Sequence, residues 1–304
     1  MSNQVAGISA IQYAHYGIKD NVTGAVTGIV DVNNGSTISD GASGTLMGNM
    51  DMVDGWIPEI PDNPRGVLVG NGRNILTVQG KVVDPITGSG SLALFDQRIV
   101  ENISNAKVRT YGGAKAIDYI PDIVQNDICT VINTLAINQD TAGTVGVNEY
   151  WVVESHLVNA SAKIPGITGA NYDPAVTAFS LTYNKTNRDM FGDDVSASDY
   201  SDAGAVTGGL TMITMYQSPY PIIYQTWIGD GSRTEFDIDS SITPAGVTAN
   251  FVMTAAGGTP LTYTGSTATS GEYEVTEDSG TYTITTGDAV ADGAYVVARI
   301  QYLP

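Results

Sequence analysis

From residue 226 onward the chain is a succession of short segments, EFDI, ANFVMT, LTYTG, EYEVT, TYTIT and AYVVARIQYL. Turns rich in Gly, Pro, Asp and Ser separate them. A period of two sends successive side chains to opposite faces, so such segments bury an apolar face only as strands. Many of them at near-regular spacing point to a small β-sandwich. Composition extends that reading to the whole chain. Only 15% of the 304 residues are charged, against about 25% in an ordinary globular protein. Thr, Val and Tyr favour strands, and the 35 glycines favour turns. The expected fold class is therefore mainly all-β.

Upstream, residues 22–32, VTGAVTGIVDV, read as a strand weakened by glycine. Residues 33–66 are long, irregular and interrupted by Pro58, Pro61 and Pro64. Met47, Met50, Met52 and Trp56 make this stretch too apolar for a free linker. It reads either as an extended arm ordered on another subunit or as a loop folded on its own domain. Strand patterns return in GVLVGNG, NILTVQGKVVD, CTVINTLAIN, EYWVVESHLVNASAKI and AVTAFSLTYN. In the last, Phe179, Leu181 and Tyr183 share one face, and Ala178, Ser180 and Thr182 the other. One short helix is expected in ALFDQRIVENISNA, where Phe95, Ile99 and Ile103 recur every fourth residue behind an Asp96 cap. SPYPIIYQ, with two prolines, reads as a boundary. The expected organisation is a β-rich assembly domain over 1–217, a linker over 218–225 and a C-terminal β-sandwich over 226–304.

Candidate chemistry is sparse. His156 shares a face with Glu154 and Val152, but a strand spacing of two residues separates His and Glu by roughly 7 Å, too far for an orienting hydrogen bond. His15 is the other histidine. DGASGT (40–45) reads as a turn and not as a nucleophile elbow, and VGNGRN (69–74) lacks the Lys-Ser/Thr of a phosphate cradle. Oxygen ligands for calcium could come from Asp193, Asp194, Asp199 and Asp202, or from Asp230, Glu235 and Asp237. Neither group has the alternation and bidentate Glu of a helix-loop-helix calcium loop, and solvated loop charges explain both. No catalytic, cofactor-binding or metal residue is assigned, no cofactor is expected, and the chain is not read as an enzyme.

The net charge is −19. No basic patch offers to neutralise phosphates, which argues against specific nucleic-acid binding. The same sign suits either solubility or a channel that must pass DNA without holding it. Residues 226–304 hold ten acids and two bases, net −8, so the C-terminal part is the more acidic per residue. The single cysteine, Cys129, sits in an apolar run and reads as a small buried hydrophobe. The N-terminus has neither the basic region nor the apolar core of a secretory signal, and no apolar run approaches the ~18 residues of a membrane span, so synthesis in a cytoplasm and no membrane partner are expected.

The order GDGSRTEFDID, then GEYEV, YTITT and VADGAYVVARIQY, resembles a recurring β-domain of tailed-bacteriophage virion proteins. The central turn, TAAGGTPL, departs from that pattern. This resemblance covers 226–304 and implies an exposed accessory module of immunoglobulin-like or decoration type. Residues 1–225 resemble, in architecture rather than by motif, a phage major tail (tube) protein. What the resemblance implies is a structural virion protein assembled in the host cytoplasm. Its subunits would polymerise into stacked hexameric rings, joining their sheets in a closed barrel around a channel for passing DNA. Its partners would be further copies of itself and other tail or head proteins of the virion. A capsid decoration or fibre protein is the alternative within the same class. From another class, a glycan-binding module would use Tyr216, Tyr220, Tyr224 and Trp227 as stacking aromatics. The last 80 or so residues are expected to be dispensable for folding and assembly.

Overall fold

A computed structural model describes residues 4–28, 44–50, 52, 57–59, 61–62, 65–70, 73–79, 85–92, 101–102, 106–122, 126–139, 145–162, 177–194, 213–246, 251–254 and 260–304. The fold is nearly all β, as the composition requires. The largest sheet contains β1 (Gln4–Ile18), β3 (Gly48–Asn49), β4 (Ile57–Glu59), β7 (Ile86–Leu92), β10 (Ile128–Gln139), β11 (Val145–Ala162), β12 (Thr177–Tyr183) and β13 (Ile213–Ser218). Its order is β3-β1-β10-β11-β12-β7-β4, with β13 also on β11. A second sheet contains β2 (Thr45–Leu46), β14 (Ile222–Ile228), β16 (Thr243–Pro244), β17 (Phe251–Thr254) and β21 (Tyr295–Leu303). A third contains β15 (Glu235–Asp237), β18 (Thr262–Tyr263), β19 (Glu272–Asp278) and β20 (Thr281–Thr286). Among the described residues, two hairpins pair only within themselves: β5 (Arg65–Gly70) with β6 (Arg73–Gln79), and β8 (Ala106–Tyr111) with β9 (Ala114–Tyr119). Of the expected helix, Glu101 and Asn102 are described, and both are helical.

The large sheet carries a core on each face. Alternation along β10 sends Cys129 and Val131 to one face and Ile128 and Ile132 to the other. The second set joins Tyr16, Met50, Val153, Phe179, Leu181 and Tyr183 in an apolar core, so the expected face of β12 is the buried one. A bulge keeps both long strands in step. Ile128 pairs with Val158 and Thr130 with Ser155, so β11 spends three residues where β10 spends two. The extra residue resets the parity, and Val158 returns to the apolar core while Glu154 and His156 face the opposite side.

On that opposite face the second sheet lies as a middle layer, with the third sheet beyond it. Even-numbered residues of β14 meet the large sheet: Ile222 bonds Asn133, and Tyr224 bonds Glu154. Odd-numbered ones meet the third: Gln225 Nε2 and Trp227 Nε1 both donate to the Asp237 carbonyl. Covered on both sides, β14 is buried from Ile222 to Trp227. The stretch read as a linker over 218–225 is thus the end of β13, a turn and the start of a central strand. The second and third sheets form the small sandwich expected of the C-terminal region, but its first strand starts at Ile222. One core also joins Ala25, Val26, Met47, Cys129, Val131, Val152, Met190 and Phe191 to Trp227, Phe236, Val296 and Ile300.

Residues 44–50, inside the stretch read as an extended arm, fold on their own chain. β2 pairs with β14 and β3 with β1, while Met47 and Met50 enter the two cores. Residues 33–43 of that stretch, and Trp56, lie outside the described residues. Gly44 shows how close the approach is. Its φ is +56°, and a Cβ there would meet the Trp227 ring at 2.3 Å, so only glycine fits.

Candidate functional site

The seam between the large sheet and the middle layer holds the densest set of polar side chains with partners far apart in sequence. Glu154, on the inner face of β11, is 7% exposed. Its Oε1 accepts hydrogen bonds from the Tyr224 hydroxyl at 2.8 Å and the Tyr216 hydroxyl at 2.5 Å. Arg299, on β21, places Nε 3.4 Å from the same oxygen and donates to the Tyr216 hydroxyl at 3.0 Å. The guanidinium also lies over the Tyr216 ring, 4.7 Å from its centroid. A buried carboxylate is expensive to desolvate, and this one is held by a cation and two hydroxyls. Burial, then the Glu154 charge, pushes the Tyr216 and Tyr224 hydroxyls well above the usual phenol range, so both stay protonated as donors.

Beside this network lies a cavity of about 380 Å³ lined by Glu154, Asp189, Phe191, Tyr216, Pro260 and Arg299, among others. Asp189 forms one wall. Its Oδ1 accepts the backbone N–H of Phe191 at 2.8 Å and of Asp193 at 3.0 Å. Burial nevertheless raises its carboxyl to about 6, because desolvation outweighs those two bonds. Lys19 donates to the Asp189 carbonyl at 2.6 Å, which ties the end of β1 to this loop. Phe191, on the same loop, packs edge-on against Tyr224 of β14, with ring centroids 5.5 Å apart.

Two side-chain amides extend the seam by imitating a strand edge. Asn133 Nδ2 donates to the Ile222 carbonyl at 3.0 Å, and its Oδ1 accepts the Ile222 N–H at 2.8 Å. Gln225 does the same one layer out, donating to the Asp237 carbonyl and accepting from Asp239 N–H at 3.0 Å. Asn133 satisfies the buried backbone donor and acceptor of Ile222, and Gln225 links the Asp237 carbonyl, which Trp227 also reaches, to the Asp239 N–H.

The residues singled out in the sequence are scattered over this frame. His156 is buried, with Nε2 3.0 Å from Thr214 Oγ1, and Ser155 beside it points into the opposite core. His15 is buried between Asn49, at 2.8 Å, and the Tyr302 hydroxyl, at 3.2 Å. Burial lowers both imidazoles to about 4, so they are neutral at pH 7. The Cys129 thiol is fully buried and pushed up to about 12. Asp193 and Asp194 lie on the loop after Asp189, where Asp194 accepts from Asn187 at 3.1 Å. Asp199 and Asp202 fall outside the described residues. Asp230 caps its own turn through Ser232 and Arg233, and Asp237 accepts from Thr283 at 2.9 Å. Among the described residues, no three or more His, Cys, Asp or Glu side chains gather to hold a metal ion, and no helix is long and apolar enough to cross a membrane.

The Glu154–Arg299–Tyr216–Tyr224 network was out of reach of sequence reading. Its members come from β11, β13, β14 and β21, and only the fold brings them together. The available signal is an acidic residue within the largely apolar strand run WVVESHLV. No protein-family model matches this chain, and no curated protein matches it.

Proposed function

We propose that this chain is a structural virion protein, a tail tube subunit of a tailed bacteriophage. It polymerises into stacked hexameric rings around a channel through which DNA passes. The observation that carries this reading is a three-stranded ribbon at one end of the large sheet. There β10, up to Gln139, pairs with β1 from Gln4 on one side and with β11 from Val145 on the other. Among the described residues, β3 reaches β1 only at His15 and Tyr16, and β13 reaches β11 only from Tyr150. Among the described residues nothing pairs with the outer edges of this ribbon; a neighbouring chain can satisfy such edges by continuing the sheet, and closure into a barrel removes them altogether.

The acidic balance supports the same reading, because a negative channel wall repels phosphate. Decoration or fibre subunits could use such edges too, and symmetry separates the cases. The glycan-binding alternative loses support: Tyr224 and Trp227 are fully buried and cannot present a ring face to a sugar. Negative-stain microscopy of the purified protein tests the reading. Tubes or six-fold rings are expected. Trimers would favour decoration or fibre, and a protein that stays monomeric at high concentration would overturn self-assembly itself.

A further inference from the structure

Among the described residues the β8–β9 hairpin pairs with no other strand, and a two-stranded hairpin alone in water is marginal. Its Gly112–Gly113 turn is free-standing, since a Cβ built at either residue meets nothing within 4 Å. The pairing of Ala106 with Tyr119 and Val108 with Ile117 puts four apolar side chains on one face. That face is partly covered, with Ala106 buried and Tyr119 43% exposed, while Tyr111 on the other face is 69% exposed.

The opposite face, which holds Lys107, Arg109 and Tyr111, carries the charge. Residues 106–119 contain Lys107, Arg109 and Lys115 against Asp118, a net of +2, which leaves −21 for the rest of a −19 chain. Lys107 is 3.5 Å from Glu101, and Arg109 pairs with Asp118 while lying over the Tyr111 ring. Both pairs are solvent-exposed on the cation's side, and exposed pairs are weak enough to exchange partners.

We infer that this hairpin docks on a second copy of the chain, on the outer face of the β15-β20-β19 sheet. That face presents Glu235, Glu272 and Glu274 among threonines, and its three strands contain no Lys or Arg. Glu235 and Glu274 both pair with Thr285, so they stand in one row across the sheet. Lys107 and Arg109 meet that row, and Tyr111, on the same face of the hairpin, packs on the threonine methyls. Hairpin-to-hairpin contact would oppose like charges, so the contact is heterologous and propagates into rings or filaments. This inference rests only on the self-assembly part of the proposed function.

Zero-length carbodiimide coupling in a mixture of isotopically labelled and unlabelled full-length protein tests it. The expected products are amides between Lys107 of one copy and Glu235 or Glu274 of a differently labelled copy. Coupling of Lys107 only within its own chain, or to carboxylates elsewhere on the neighbour, overturns the inference. Lys107→Glu with Arg109→Glu should weaken association about tenfold or more, and Glu235→Lys with Glu274→Lys should restore it. Failure of that rescue in a folded double reversal also overturns it. Tubes without these cross-links would leave the tube reading intact and remove this contact, whereas the cross-links in a protein forming neither rings nor tubes would do the reverse.

Discussion

Strands β14 and β19 have the same length, seven residues, and opposite surroundings. β14 is buried through six consecutive positions between two sheets, while β19 alternates at first and then runs out into solvent. Alternation in a sequence records burial on one face only. A strand sandwiched in the middle of three layers loses it and, with a proline before it, reads as a connector. The burial that hides β14 in the sequence makes it the element on which both neighbouring layers depend.

The strongest way to break this comparison is to remove the middle layer. A chain ending at Gln217 lacks β14 and β21, and strips cover from Ala25, Val26, Cys129, Val131, Val152 and Met190. We expect it to lose cooperative folding, seen as aggregation or as lost near-ultraviolet circular dichroism. This reverses the expectation from sequence that the last 80 or so residues are dispensable. A soluble 1–217 fragment with a sharp unfolding transition would show that the shared core is not needed.

Next in size is Glu154→Ala. It leaves Arg299 a partly buried cation without its carboxylate and two tyrosine hydroxyls without an acceptor, at a cost of about 2–4 kcal/mol in denaturant unfolding. A loss below about 1 kcal/mol would mean that the seam is held by apolar packing alone.

Acid should act on the same seam. His15 and His156 have pKa values near 4 in the folded chain against 6.5 unfolded. The unfolded chain therefore binds more protons between these values. Stability is complete above pH 6.5 and falls as pH drops to 4, by up to roughly 3 kcal/mol per histidine. Asp189, raised to about 6, and the more exposed Asp193, also raised by burial, work in the opposite direction, but the histidine window reaches higher in pH. The net slope should be positive from pH 4 to 6.5, and replacing His15 with Gln should flatten it. A slope of zero across that window would contradict neutral burial of the two rings.

At the other end of the comparison, Thr276→Ala on the exposed part of β19 should change stability by no more than about 0.5 kcal/mol.

Legibility followed the same physics. The Phe179, Leu181 and Tyr183 face of β12 and the β19–β20 hairpin were readable because each has one wet side. The expectation of an all-β fold rested on the same local rules. The Met47 and Met50 stretch was recognised as too apolar to be free, but only the fold shows that its described part returns to its own chain. Asn133, Gln225 and Glu154 look like ordinary polar residues in strands, and their importance comes from partners 89, 12 and 145 positions away at Ile222, Asp237 and Arg299. No local spacing encodes such pairs.

Native-state hydrogen exchange followed by mass spectrometry tests the central claim, that β14 welds the layers into one core, most directly. Amides of Ile223–Trp227 should exchange as slowly as those of Val131–Thr134 in β10, through global unfolding alone, while the solvent-facing end of β19 exchanges faster. Rapid exchange over Ile223–Trp227 with β10 still protected would make this stretch a linker and contradict the account.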